Sequence, residues 1–323
     1  MVCAAALLMV VGTADAQEFA KVGTFGLQFL KIGVGSRGIA MGESYIALSD
    51  NGAEAVFWNP AGLEYVERSS LMLSHTEWLA DIRYDAAAVA HSLGVLGTVG
   101  LSFAMLGSGP MEVTTVDRQE GTGETFDTAD YMIGLSFARA LTNKFRVGFN
   151  FKYIRERLER ESASTYAVDV GTIYYSGFRS LRMGMAIRNF GPEVQLSGSY
   201  FDFDNGVPLA DKSEYEPFHL PLAFQFGLAL DIFNRGHHRL IGATELYHPP
   251  DNLERINLGG EYTLMDFLAF RGGYSFRHDV KGPSFGLGID YGLGQTSHVR
   301  LDYAYTDFGI LDMVQRVSLG IDF

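Results

Sequence analysis

Cysteine is nearly absent. The 323 residues hold one, Cys3, so a disulfide scaffold is excluded. Cations are scarce: 25 Lys and Arg against 38 Asp and Glu leave a formal net charge of −13. That balance disfavours a basic face for nucleic acid. After Gln17 no apolar run reaches the roughly 18 residues that a membrane helix needs. Long disordered stretches are also unexpected, because aromatic content is 13% and charged content only 20%.

Glycine is abundant, at 38 residues, against a usual share of about 7%. With the many Tyr and Phe it suits strands and tight turns. The first residues read as a targeting segment: Val2 to Gly12 are apolar, and Ala14-Asp15-Ala16 has the small-x-small form of a signal-peptidase site. Residues 1–16 are expected to be a signal peptide cleaved to leave Gln17, with Cys3 lost alongside it.

From about residue 68 the chain alternates with period two. Phe145, Val147, Phe149, Phe151 and Tyr153 interleave with Arg146, Gly148, Asn150 and Lys152; Phe285, Leu287, Ile289 and Tyr291 interleave with Gly286, Gly288 and Asp290. These runs reach about 10–12 residues, near the 9–11 of a tilted membrane strand and beyond the 5–6 of a soluble one. Fourteen such strands are expected. The even-numbered connections are short, such as Leu93-Gly94, Thr142-Asn143 and Met265-Asp266, while the long ones, 107–127 and 191–218, fall on odd numbers. Short turns at one end and long loops at the other predict an all-β antiparallel transmembrane barrel with both ends of its sheet at the short-turn, periplasmic side. Val317, Leu319, Ile321 and Phe323 would face lipid, so Arg at Leu319 should cost more than Arg at Ser318. Inward charges of both signs, including Arg146, Lys152, Asp169, Arg182, Arg188, Glu261, Asp290, Arg300, Asp302 and Asp322, predict a salt-bridged lumen.

Several motifs are decoys. Gly33-Val34-Gly35-Ser36-Arg37-Gly38 matches a dinucleotide fingerprint but opens no βαβ unit. Gly282-Pro283-Ser284-Phe285-Gly286 matches a nucleophile elbow, yet a strand follows where a helix is required. His75, His91 and His278 pair with nothing in the linear sequence, and His237-His238 sits in a turn. Asp202-Phe203-Asp204-Asn205-Gly206 resembles part of a calcium loop without its closing Glu. No catalytic residue, metal site or cofactor is expected, and the protein is read as a non-enzyme.

Residues 28–66 do not alternate. The stretch Phe29-Leu30-Lys31-Ile32-Gly33-Val34-Gly35-Ser36-Arg37, the following Ala40-Met41-Gly42, and Trp58-Asn59-Pro60-Ala61-Gly62-Leu63 resemble the opening of the PorV/PorQ family of bacterial outer-membrane proteins, within the wider FadL-like group of barrels. The resemblance implies a FadL-like barrel over 67–323 and a hatch or plug over 17–66 folded into its lumen. Gly33, Gly35, Arg37, Gly38, Met41, Gly42, Trp58 and Gly62 would belong to the hatch motif, with Asn59, Pro60 and Ala61 at its turn. For PorV it implies a non-enzymatic part in type IX protein secretion, in contact with secretion components and the C-terminal domains of cargo. The loop residues Tyr200, Phe201, Asp202, Phe203, Tyr215 and Glu216 would then form a partner or ligand surface. The alternative is a FadL-like channel for hydrophobic compounds. Either reading places the protein in the bacterial outer membrane, in contact with its lipid and not with nucleic acid.

Overall fold

A computed structural model describes the backbone of residues 23–204, 207–294 and 297–323, and their side chains outside 202–210. The expected cleavage site at Ala14-Asp15-Ala16, and the side chains of Asp202 and Phe203, lie outside the described residues. Among the described residues, fourteen strands close into one antiparallel barrel. They are β1 (Ser69–Glu77), β2 (Arg83–Ser92), β3 (Thr98–Gly107), β4 (Thr128–Ala140), β5 (Phe145–Leu158), β6 (Glu161–Tyr175) and β7 (Arg182–Phe190). Then follow β8 (Ala223–Arg235), β9 (His238–His248), β10 (Arg255–Leu264), β11 (Leu268–Phe276), β12 (Ser284–Gly292), β13 (His298–Asp307) and β14 (Met313–Asp322).

Each strand pairs with its sequence neighbours, and β14 closes on β1 with Leu319 opposite Leu73. Closure leaves no free edge, which is the condition for a sheet to cross a bilayer. The alternation then sorts the residues. Phe149, Phe151, Phe285, Leu287 and Val317 are exposed on the outer wall, while Asn150, Lys152, Ser284, Arg316 and Ser318 are buried inside. An exposed apolar belt around a polar interior is the surface of a membrane barrel.

The even-numbered connections form one end of the barrel and the odd-numbered ones the other. The odd end carries 108–127, which contains the short pair Met111–Glu112 and Thr125–Phe126, and 191–222, which contains the hairpin Ser199–Asp204 with Val207–Glu214. It also has one tight turn, between β5 and β6. We call these the short-turn end and the long-loop end.

Before β1 the chain runs through the lumen. It forms a 3-10 turn at Gln28–Lys31, helix α1 (Ser36–Ala40), and 3-10 turns at Gly52–Phe57 and Pro60–Tyr65. Helix α1 lies against β11 to β14, and Pro60–Tyr65 against β3 to β6, so the segment reaches both walls. The wall is bare where it docks: a Cβ on Gly148 or Gly273 would collide with the backbone at Pro60–Ala61 or Met41–Gly42. Leu27, Phe29, Met41, Tyr45, Trp58 and Leu63 fill the interior.

Candidate functional site

Within the segment, Trp58 is the centre. Its ring covers Gly33 and Gly38, where a Cβ would stand 3.0 and 2.6 Å from ring carbons, and its Nε1 donates to the Val34 carbonyl at 2.7 Å. Tyr45 meets it edge-on at 5.5 Å between centroids. Asn59 caps the Pro60–Tyr65 turn by accepting from the Ala61 amide. Its Nδ2 donates to the Ile46 and Thr172 carbonyls, the second on β6. Pro60 at the first helical position has no N–H to leave unsatisfied. Gly62 sits against the Ser49 carbonyl, and Gly35, at φ 86°, turns the chain into α1.

Charges latch the segment to the wall. Arg37 makes a two-pronged contact with Glu261 on β10 at 2.7 and 2.8 Å, and a third bond to Asp50 at 2.7 Å. Glu261 also takes Arg271 on β11 at 2.6 Å, and Arg271 reaches Asp302 on β13 at 2.5 Å. Asp50 is shared with Arg182 on β7, at 3.2 Å. Glu245 on β9 accepts the Tyr45 and Ile46 amides at 3.1 and 3.0 Å. Lys152 pairs with Asp169 at 2.6 Å, and Arg300 with Asp322 at 2.5 Å. Buried Glu54 accepts from Asn51 at 2.7 Å. Burial, reinforced by nearby Asp302, pushes its carboxyl up to about 7.

Above the segment, at the long-loop end, lies a cavity of about 260 Å³. Its floor includes Gly33, Ile39 and Trp58; Trp78, Tyr247 and Phe308 bring further rings. Both tryptophans of the chain therefore line it. Cations crowd the same space: Lys31, Arg188, Arg255, Lys281 and Arg316, with His278. Lys31 is matched by Asp251 at 2.9 Å and Lys281 by Glu43 at 2.7 Å. Burial opposes the Glu43 charge, but the Lys281 ammonium holds its carboxyl down at about 2. His278 accepts the Lys281 amide on Nδ1 at 3.1 Å, and burial, then Arg255, pushes it down to about 4. Below the segment, at the short-turn end, are two polar cavities of about 260 and 300 Å³ that share Asp50, Asp290 and Arg300. Beside them Arg146 stacks between Tyr65 and Tyr175.

The motif residues of 33–62 thus come together in the lumen. The loop residues do not join them. Tyr200 and Phe201 are exposed on the loop hairpin, Tyr200 meets Tyr215 with rings tilted at 5.2 Å between centroids, and Glu216 points to solvent; none of these lines the cavity. No motif or spacing in the sequence marks Arg255, Lys281 or Arg316 for the cavity, nor Glu245 for the latch. Ser284 opens β12 and faces Thr306 at 3.2 Å. His75 pairs with Asp85 at 2.6 Å on the outer wall.

No protein-family model matches the chain, and no curated protein sequence does. Solved structures do. The CymD monoaromatic hydrocarbon channel has a TM-score of 0.56 at 13% identity, over 92% of this chain and 97% of that one. The toluene transporter TbuX of Ralstonia pickettii gives 0.56 at 15%, over 90% and 97%. A FadL homologue from Pseudomonas aeruginosa gives 0.58 at 12%, over 90% and 99%. The fold is that of a FadL-like barrel. The PorV/PorQ resemblance of residues 28–66 has no counterpart among these matches.

Proposed function

We propose that the protein is a non-enzymatic outer-membrane channel admitting small compounds with an apolar body. The observation that carries this reading is the aromatic-lined cavity at the long-loop end, floored by a luminal segment inside a closed fourteen-strand barrel. A wide aqueous pore would need an open lumen, whereas here the lumen is filled and salt-bridged. A compound entering from the loops meets Trp78 and Phe308 first and Trp58 at the floor. Its onward path requires the segment, acting as a hatch, to shift between the upper and lower cavities. Structural neighbours named as toluene and monoaromatic hydrocarbon transporters support the same reading. Uptake of labelled toluene by Gram-negative cells expressing the protein should exceed that of cells without it. Equal rates, with the barrel folded in the outer membrane, would contradict the proposal.

The second reading is a PorV/PorQ-type role in type IX secretion, and the motif of 28–66 favours it. A photocrosslinker at Tyr200 or Glu216 would then capture secretion components or cargo C-terminal domains. Deleting part of 191–218 would abolish capture and leave toluene uptake at the background rate throughout.

A further inference from the structure

The charge of the upper cavity is unbalanced. Its two lysines each have a carboxylate, but its three arginines have none within 4 Å among the described residues. Arg316 is 2% exposed; its Nε donates to Thr76 at 2.6 Å, while its Nη1 is sealed from solvent without a partner. Arg188 has the same unpartnered state at Nε. Arg255 lies over the Tyr247 ring at 4.8 Å and makes no ion pair within 4 Å among the described residues. His278 adds no acceptor for them, since its Nδ1 is already taken by the Lys281 amide.

Guanidinium groups taken out of water without an anion are costly. Arg316 is buried, and Arg188 and Arg255 are half-buried, around one small aromatic chamber, and a neutral hydrocarbon offers none of the three a partner. They suit a carboxylate, whose two oxygens match the guanidinium fork. The chamber's volume lies below the roughly 300–1,000 Å³ typical of drug-sized pockets. One ring and a short side chain fit; a long acyl chain does not.

We infer that this cavity is a binding site for small aromatic monocarboxylates, with the carboxylate held by Arg188, Arg255 and Arg316 and the ring set among Trp58, Trp78, Tyr247 and Phe308. The inference rests on reading the cavity as the substrate's first station and adds to that reading a preference for anions over their neutral counterparts.

The test is equilibrium binding to the purified full-length barrel in detergent, followed by tryptophan emission, because both tryptophans line the site. 3-Phenylpropionate should bind at least about tenfold tighter than 3-phenylpropanamide, its neutral counterpart, consistent with charge-assisted hydrogen bonds. Arg188→Gln and Arg255→Gln, each made singly with barrel folding checked by circular dichroism, should weaken the acid by about tenfold and leave the amide unchanged. Equal binding of acid and amide would overturn the inference, and so would tight acid binding indifferent to both substitutions. Acetate or inorganic phosphate binding as tightly as 3-phenylpropionate would overturn the aromatic part. Because nothing in this measurement depends on transport, an acid that binds but is not taken up by cells leaves the site standing and removes the channel reading. Uptake of toluene without acid binding does the reverse.

Discussion

Glu43 and Lys281 illustrate how single residues tie the luminal segment to the loops. Their 2.7 Å pair joins the turn after α1 to the β11–β12 loop. The Glu43 carboxyl is held at about 2, below its ordinary 4.5. A depressed carboxylate contributes stability that is fully present above about pH 4.5 and is lost as pH falls toward 2. Loop 277–283 should therefore become protease-sensitive over that acid window, and Glu43→Gln should be sensitive already at neutral pH. A wild-type digestion pattern for Glu43→Gln at pH 7 would show that the pair does not hold the loop. Substitutions on β14 probe the two faces of the wall. Leu319→Arg should cost about 2–4 kcal/mol if it lies near the bilayer midplane. The alternation alone suggests that Ser318→Arg is milder, because it faces the lumen. The structure reverses that expectation: Ser318 is buried, its Oγ accepts the Ser36 amide at 2.8 Å, and the Ser36 hydroxyl is 2.9 Å away. An arginine there must displace α1. Refolding titrations into lipid should show both variants destabilised, and only Ser318→Arg with a newly cleavable segment.

At the scale of elements, the strands were legible and the partners of the luminal segment were not. Period-two alternation around Phe145–Tyr153 and Phe285–Tyr291 marks strands because one face meets lipid and the other the lumen. Its loss over 28–66 marks a segment with no lipid face. Which charges meet is set by barrel closure, which brings Arg37 to Glu261 across 224 positions and Ser318 to Ser36 across 282. No local pattern encodes such pairs. Arg188, Arg255 and Arg316 look like any other inward cation until the loops above them and the segment below enclose a common cavity. The latch around Arg37 has a measurable weight. Breaking a buried ion pair by removing one partner costs about 3–5 kcal/mol, because the other charge stays buried. Arg37→Leu should fall toward the lower end, since Arg271 still holds Glu261. The expected result is a lower thermal midpoint in detergent together with faster cleavage within 33–62. An unchanged midpoint would place the latch elsewhere, on Glu245 and the backbone contacts of Asn59.

For the whole molecule, the luminal segment divides an upper, cationic and aromatic cavity from lower, polar ones, and in the proposed channel a compound passes only if that segment moves. Ser36 on α1 and Ser318 on β14 offer a direct lock, because their Oγ atoms are 2.9 Å apart. A side-chain approach this close is compatible with the roughly 3.8 Å Cβ separation of a disulfide. The chain's one cysteine, Cys3, lies in the expected signal peptide. Uptake of a labelled small aromatic compound should be measured in cells carrying the double variant Ser36→Cys and Ser318→Cys, oxidised and then reduced, with the bond verified by mass spectrometry. Uptake should be abolished in the oxidised state and restored by reductant. Equal uptake in the two states, with the disulfide formed, would contradict the requirement that the segment moves.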